Sequence, residues 1–381
     1  MDSERYIFEA EWFDKVACVV KKFLLYYYVS DNSVELYDLK TKKTFLRRTK
    51  CEGVEEKDFY VGALITIFSR SMRLINFADC NTKTKLSSKA QKTLAIIMPD
   101  IIDKMGEILK KIAAQDLHIG NIKMVNFTKD SAIEFYKGKS GSDLSRTINY
   151  VISGPIVAIE LLGEDCVARW QELTGPNDSS EAREKAPSSI RACYGKDFVQ
   201  NAVYGSADVK SADKELKFFF PDPKCERKGF KNTATFEDCT CCIIKPHALQ
   251  SRLTGHIVDD IQKAGYLITA IQLFHVDPIN VEEFLEVYKG VLPDYGAIVA
   301  ELQSGPCITM EIKHKDKTVN VPVEFRKLCG PMDPEIAKHV RPDTLRAKYG
   351  KTRVQNAVHC SDLPEDGLLE VEYFFKILDE S

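Results

Sequence analysis

Seven polar side chains between residues 245 and 370 have the types that phosphoryl transfer requires. Lysine and arginine neutralise transferring oxygens, a histidine near its neutral pKa attacks as a nucleophile, and a carboxylate fixes the tautomer of the ring. Taken singly, each side chain also fits a solvated surface or a satisfied core position. The set is Lys245, Tyr288, Arg326, Arg346, Asn356, His359 and Glu370.

A P-loop is not part of this set. The Gly-Lys pairs in GKS at 138–140 and GKT at 350–352 lack the upstream glycine that the phosphate-cradling loop requires. The sequence therefore gives no sign of a P-loop nucleotide site.

The stretch that carries His359 occurs twice in the chain. VQNAVY at 199–204 returns as VQNAVH at 354–359, with a change only in the last side chain. ISGPIVAIEL at 152–161 likewise returns as QSGPCITMEI at 303–312, and further anchors follow in the same order. Ordered self-similarity over more than a hundred residues indicates two copies of one domain.

The order of elements within one copy predicts its fold class. A short apolar strand ends at Pro99 or Pro246, and a helix with apolar residues at helical spacing follows it. A second strand, two short helices and a strand after Ser-Gly-Pro complete the copy. This β-α-β-α-β order predicts an α+β fold, with ferredoxin-like α/β sandwich domains at 92–222 and 239–378.

Residues 1–88 match neither copy. They alternate apolar and polar side chains in short runs such as SVELYDL and MRLINFAD, separated by turn signals such as SDNS. This pattern predicts a small β-rich domain, an antiparallel sheet or barrel. The polar segments 82–92 and 221–233 are interpreted as linkers.

Composition and net charge bear on the partners of the protein and on the state of its cysteines. The 381 residues carry a net charge of −3 and 29% charged residues, so bulk electrostatics favours neither nucleic acid nor an anionic membrane as partner. The longest apolar run, FLLYYYV, is too short to span a bilayer, and no secretory signal is visible. Twelve cysteines then indicate reduced cytosolic thiols, and CTCC at 239–242 is interpreted as inert strand thiols, not a metal site.

Several of these motifs together resemble the nucleoside diphosphate kinase family. The family signature is Asn-x-x-His-(Gly/Ala)-Ser-Asp, with a strand ending in Ile-Lys-Pro-Asp, a Ser-Gly-Pro segment and a Thr-Ile-Arg helix. The second copy contains NAVHCSD, IIKPH, SGP and TLR. The resemblance covers roughly 92–222 and 239–378, and its several parts make it specific.

The resemblance implies a ping-pong transfer of the γ-phosphate between nucleotides, with Mg²⁺ on the phosphates. His359 matches the phosphorylated histidine of the family, and Glu370 matches the glutamate that orients its ring. The other five residues match nucleotide contacts: Lys245 and Asn356 at the ribose and phosphates, Arg326 and Arg346 at the phosphates, and Tyr288 beside the histidine.

The second copy departs from the family pattern around the nucleotide. Met332 stands where the family has a phosphate-binding threonine, and Cys360 replaces the glycine after the histidine. The base-stacking phenylalanine position falls near Asp294 and Tyr295, and the valine position is Arg353. These changes affect base stacking and affinity more than the chemistry.

The first copy departs further. Tyr204 replaces the nucleophile, Met98 the lysine, Gln171 the first arginine and Leu144 the stacking aromatic, while Arg191, Asn201, Tyr136 and Glu215 remain. A phenol with a pKa of about 10 is a poor substitute for imidazole at neutral pH. We expect this copy to keep its fold without the chemistry.

The three-part arrangement resembles family members that carry an N-terminal domain shared with axonemal proteins. It implies nucleoside di- and triphosphates, tubulin and other doublet microtubule proteins, and the γ-tubulin ring complex as partners. The implied location is the ciliary axoneme and cytoskeleton, with the cytoplasm and centrosome. Fold alone does not separate a kinase from the alternative, a structural axonemal protein without nucleotide turnover.

Overall fold

A computed structural model of the chain describes residues 5–14, 19–51, 54–60, 63–68, 70–87, 90–138, 143–221 and 229–379. The chain divides into two units, residues 1–91 and residues 92–381. Within the described residues, no helix is long and apolar enough to cross a bilayer.

The first unit is an antiparallel sheet with one helix. Its described elements are β1 (Arg5–Asp14), β2 (Val19–Tyr28), β3 (Ser33–Asp38), β4 (Lys43–Lys50), a 3-10 turn (Glu56–Asp58), β5 (Leu64–Ile67), β6 (Arg70–Phe77) and α1 (Cys80–Ser87). The six strands lie in the order β4-β3-β2-β1-β6-β5. The β-rich prediction is confirmed, and apolar side chains such as Phe8, Leu25 and Leu36 fill one core.

The linker prediction for residues 82–92 is wrong at both ends, because α1 extends to Ser87 and the next strand begins at Ala90. The Thr82 side chain is fully buried, and its hydroxyl accepts a hydrogen bond from the Ile7 amide at 2.9 Å. Leu86 joins the same core. These tertiary contacts override the polar composition from which the linker was inferred.

The first copy of the repeat consists of β7 (Ala90–Ile97), a 3-10 turn (Pro99–Lys104), α2 (Met105–Ala114), β8 (His118–Val125), α3 (Lys129–Tyr136), α4 (Leu144–Val151), β9 (Ile156–Glu164), α5 (Cys166–Thr174), α6 (Ser179–Lys185), α7 (Ile190–Tyr194), β10 (Val203–Gly205) and α8 (Val209–Phe219). Its four strands lie in the order β10-β7-β9-β8. This is the antiparallel sheet of a ferredoxin-like sandwich.

The second copy repeats this order. Its elements are β11 (Thr240–Ile244), α9 (Pro246–Gln250), α10 (Thr254–Lys263), β12 (Tyr266–Phe274), α11 (Pro278–Phe284), a 3-10 turn (Glu286–Tyr288), α12 (Tyr295–Leu302), β13 (Cys307–His314), α13 (Val321–Cys329), α14 (Pro334–Val340), α15 (Leu345–Tyr349), β14 (Val358–Cys360), α16 (Asp366–Glu372) and a π-helical segment (Tyr373–Leu378). Cys241 and Cys242 are fully buried on β11.

The two copies join into one sheet of eight strands, with β8 next to β12. Helix α2 of the first copy and helix α10 of the second also pack against each other. A Cβ added to Gly106 would lie 2.3 Å from the Asp259 backbone nitrogen, and one added to Gly255 would lie 2.4 Å from that of Lys110. Glycine at these two positions therefore permits the close approach of the helices.

Each copy contains a fourth strand that the sequence pattern does not reveal. In the first copy β10 carries Tyr204, and in the second β14 carries His359. Both strands are three residues long and pair antiparallel with the first strand of their copy. This pairing places the side chain that follows each VQNAV stretch, Tyr204 or His359, at a fixed point on the sheet.

Candidate active site

His359 and Glu370 form a hydrogen-bonded pair at the centre of the second copy. The Nε2 atom of His359 lies 2.9 Å from Oε2 of Glu370. The same carboxylate oxygen accepts a hydrogen bond from the Ser361 hydroxyl at 2.7 Å. Because a carboxylate only accepts, it holds the proton on Nε2 and leaves Nδ1 as the ring nitrogen with a lone pair for attack.

The backbone around His359 is held in an unusual conformation. Ala357 has φ of 69°, in the left-handed region that alanine rarely adopts. Its carbonyl accepts from the Lys245 amide at 2.9 Å, and its amide donates to Nε2 of His247 at 3.2 Å. Bonds from both sides therefore hold the turn that directs His359 into the pocket.

Burial and neighbouring charge act in opposite directions on the pKa of His359. Burial acts to lower the pKa of His359, but the adjacent Glu370 carboxylate and Cys360 outweigh burial, and the net shift is upward. The side chains of His359 and Glu370 are 14% and 13% exposed, so water screens this pair weakly. Phe284 packs edge-on against the imidazole with ring centroids 5.3 Å apart.

Two buried basic side chains lie in the same pocket. The Lys245 ammonium donates to the Val354 carbonyl at 2.9 Å, and burial lowers its pKa to about 7. The Arg346 guanidinium donates to the carbonyls of Gly330 at 2.9 Å and Val358 at 3.2 Å. The charged form of Lys245, held by a neutral carbonyl, has charge available for an anionic ligand, whereas Arg346 also donates to Sγ of Cys360 at 3.6 Å.

Asn356 carries an unsatisfied acceptor into the pocket. Its amide nitrogen donates to the Met332 carbonyl at 3.0 Å, whereas its buried Oδ1 atom has no hydrogen-bond partner among the residues that the structure describes. Since a buried polar atom without a partner costs free energy, Oδ1 is suited to accept from a ligand hydroxyl or amide.

Asp362 connects the two remaining predicted residues. Its carboxylate accepts from the Tyr288 hydroxyl at 2.8 Å and pairs with Arg326 at 3.2 Å. Arg326 is half exposed and lies on the wall of a wider cleft that shares Met332, Arg346 and Asp362 with the pocket. Arg326 therefore stands at the mouth of the site, outside its buried floor.

The structure brings all seven predicted residues to one region. Five of them line the pocket, Glu370 lies behind His359, and Arg326 lines the adjoining cleft. Sequence reasoning missed Ser361 and Asp362 as members of the site, although both belong to the quoted motif NAVHCSD. It also missed the buried pair of His247 and Glu301, whose Nδ1 and Oε1 atoms lie 2.6 Å apart.

The departures from the family pattern fall around the same pocket. Met332 and Cys360 are among its lining residues. A hydrogen bond with Cys329 and the nearby Arg346 lower the pKa of the Cys360 thiol to about 6. Further out, the side chains of Arg353 and Asp294 pair with each other at 3.2 Å.

The first copy preserves the frame of this site around a different side chain. The Tyr204 hydroxyl donates to Oε1 of Glu215 at 2.9 Å, and the Ser206 hydroxyl donates to Oε2 at 2.6 Å. Burial and then the Glu215 charge raise the pKa of Tyr204 far above its ordinary value. Met98 is buried, and Gln171 donates to the carbonyls of Ser206 and Ala207.

Both copies of the repeat match known proteins of one family. The nucleoside diphosphate kinase family model matches residues 91–225 and 238–379. The chain is 46% identical over 379 residues to nucleoside diphosphate kinase homolog 7 of Rattus norvegicus, covering 99% of this chain and 94% of that one. The Mus musculus homolog 7 gives the same identity and coverage. The solved nucleoside diphosphate kinase of Aquifex aeolicus is 38% identical, with a TM-score of 0.34, over 34% of this chain and 95% of that one.

Proposed function

The chain belongs to the nucleoside diphosphate kinase family, and from this premise we propose that its second copy transfers γ-phosphate between nucleotides through His359. Nδ1 of His359 attacks the γ-phosphorus of a nucleoside triphosphate, and the bond to the β-phosphate oxygen breaks. The diphosphate leaves. A second nucleoside diphosphate then attacks the phosphohistidine, takes the phosphoryl group and restores the imidazole.

The His359–Glu370 contact is the observation that carries this proposal. In the neutral ring it fixes the proton on Nε2, so the attacking Nδ1 of this form needs no separate base. As the phosphoryl group arrives, the ring becomes cationic, and the Glu370 carboxylate stabilises that charge. Lys245 and Arg346 neutralise the phosphate oxygens, and Asn356 Oδ1 is available for a ribose hydroxyl.

Mg²⁺ would accompany the nucleotide and neutralise further charge on its phosphates. The pocket fits such a ligand, because the basic side chains of Lys245 and Arg346 are buried in it and donate to backbone carbonyls. Arg326, at the cleft, is positioned for the outer phosphates. We assign no residue of the chain as a direct ligand of the ion.

Incubation with γ-labelled ATP tests this function. We expect acid-labile, base-stable label on His359, and we expect ADP or GDP to remove it as the labelled triphosphate. If the folded protein takes up no label in the presence of Mg²⁺, the proposal is contradicted. Label that persists after addition of any diphosphate would show phosphorylation without transfer.

We further propose that the N-terminal domain attaches the chain to doublet microtubule proteins in the ciliary axoneme, including tubulin, with the γ-tubulin ring complex as another partner. The edge strand β4 supports an attachment role. Residues 40–50, KTKKTFLRRTK, contain six cations and no acid. Seven of the eight β4 residues are exposed, so this edge suits an acidic protein surface. Co-sedimentation of the full chain with microtubules, with and without added salt, tests the attachment.

A further inference from the structure

Asp379 lies where the sheets of the two copies meet. At this junction Lys123 of β8 pairs with Gln272 of β12. Oδ1 of Asp379 accepts from the Lys123 ammonium at 2.9 Å and from the Gln272 amide at 2.7 Å, while Oδ2 accepts from Asn232 at 2.7 Å. We call these four residues, Lys123, Asn232, Gln272 and Asp379, the C-terminal latch.

The latch is a well-satisfied ionic contact. The Lys123 and Asp379 side chains are each 14% exposed. Burial acts to raise the pKa of Asp379, but Lys123 and the two amides outweigh it, so the net shift is downward. Asn232 also donates to the Phe375 carbonyl at 2.7 Å, which ties the last helical turn to the same point. Asp379 is therefore hydrogen-bonded to both copies.

The latched segment continues directly from the helix that carries Glu370. Helix α16 leads into the π-helical segment Tyr373–Leu378, and Asp379 follows it. A second route runs through aromatic packing. Phe374 lies 5.1 Å from Phe284, and Phe284 lies 5.3 Å from the His359 ring, centroid to centroid. Both routes connect the latch to the nucleophile of the second copy.

We propose that Lys123 and Asp379 are positioning residues, through which the first copy holds helix α16 so that Glu370 stays against His359. The first copy thus contributes to the second site without chemistry of its own. The part of this inference that concerns rate rests on the proposed function, whereas the geometry of His359 and Glu370 is measurable without turnover.

The test uses the full chain with Lys123→Gln and Asp379→Asn, singly and together. Lys110→Gln is the matched control, because Lys110 of α2 also contacts a buried aspartate of the second copy, Asp259 of α10, and this pair includes none of the four latch residues. Titration of the His359 ring by NMR reports its contact with Glu370. Phosphohistidine formation in a single turnover reports the rate, and Tm reports overall stability.

We expect both latch variants to lower the pKa of His359 and to slow phosphohistidine formation by about 2- to 30-fold. The double variant should be no worse than the stronger single one, because the two residues act as a pair. Lys110→Gln should leave the His359 titration unchanged. The proposal is wrong if the control and the latch variants, at equal Tm, change the His359 titration and the phosphorylation rate equally. It is also wrong if the pKa of His359 is unchanged in both latch variants. If no variant is phosphorylated, the proposed function is contradicted. The NMR titration of His359 in the latch and control variants then decides whether the latch positions Glu370.

Discussion

Nε2 of His359 lies 2.9 Å from Glu370, the same distance that separates the Tyr204 hydroxyl from Glu215 in the first copy. In both copies a serine hydroxyl donates to the same glutamate, Ser361 to Glu370 and Ser206 to Glu215. One frame therefore holds an imidazole in one copy and a phenol in the other. The difference in chemistry then comes from the side chain and its neighbours, because the backbone geometry is shared.

Replacement of His359 tests the nucleophile directly. His359→Ala should abolish the label from γ-labelled ATP and lower nucleotide phosphotransfer by on the order of 10⁶, as loss of a covalent nucleophile does in a cooperative site. His339→Ala removes an exposed histidine of the same copy and should leave both unchanged. Label that survives in the His359→Ala protein would place the phosphorylated residue elsewhere.

Glu370→Gln should lower the rate and change the pH dependence of stability. Loss of a carboxylate that orients a catalytic histidine costs about 10⁴ in rate in serine proteases. The raised pKa of His359 contributes stability that is full below the ordinary value of 6.5 and is lost as pH rises through the folded value. We therefore expect Tm of the wild type to exceed that of Glu370→Gln at acidic pH and the two to converge at alkaline pH. A constant difference across this range would exclude the charged pair as its cause.

The repeat and its consequences could be predicted from the sequence. VQNAVY and VQNAVH place Tyr204 and His359 at equivalent points, and the structure confirms this equivalence on β10 and β14. The strands themselves could not be predicted, because three residues are too few to show alternation. Their conformation depends on pairing with β7 and β11, which are distant in sequence.

Polar contacts between residues that are far apart in the sequence could not be predicted either. Lys123 and Asp379 are separated by 256 positions, and neither belongs to a recurring motif. Helix α1 was missed for a related reason, because its polar residues suggest a linker until the contact of Thr82 with the first strand is known. Local patterns predict elements, whereas such contacts depend on how the elements pack.

Tyr204→His alone should not activate the first copy. Met98 stands where the second copy has Lys245, and Gln171 donates to backbone carbonyls in place of an arginine. Each absent charge-assisted contact is worth roughly 1.5–3 kcal/mol. No phosphohistidine is expected at position 204 when His359 is also replaced by alanine to remove background. Measurable label there would show that the frame with Glu215 suffices.

Lys245 should take up a proton when a nucleotide binds. Burial lowers its pKa to about 7, so the empty site holds a largely neutral amine above that pH. Phosphate oxygens favour the charged form, and binding at about pH 8.5 should take up about one proton, with the uptake vanishing near pH 6. Calorimetry in buffers of different ionisation enthalpy measures this number. Lys245→Met should abolish the uptake, whereas Lys348→Met, at an exposed position, should not.

The two proposed roles should separate by mutation. Stable interfaces bury about 1,200–2,000 Å², far more than a catalytic pocket contributes, so attachment should depend on exposed surfaces such as β4. Arg47→Glu with Lys50→Glu reverses two exposed cations of that strand and should weaken microtubule co-sedimentation while phosphotransfer stays normal. Lys315→Glu with Lys317→Glu, the same charge change at exposed positions of the second copy, is the matched control. Glu370→Gln should give the reverse result, with phosphotransfer lost and attachment retained. If folded Glu370→Gln protein fails to attach, the pocket or its phosphorylated state controls assembly, and the separation of roles is wrong.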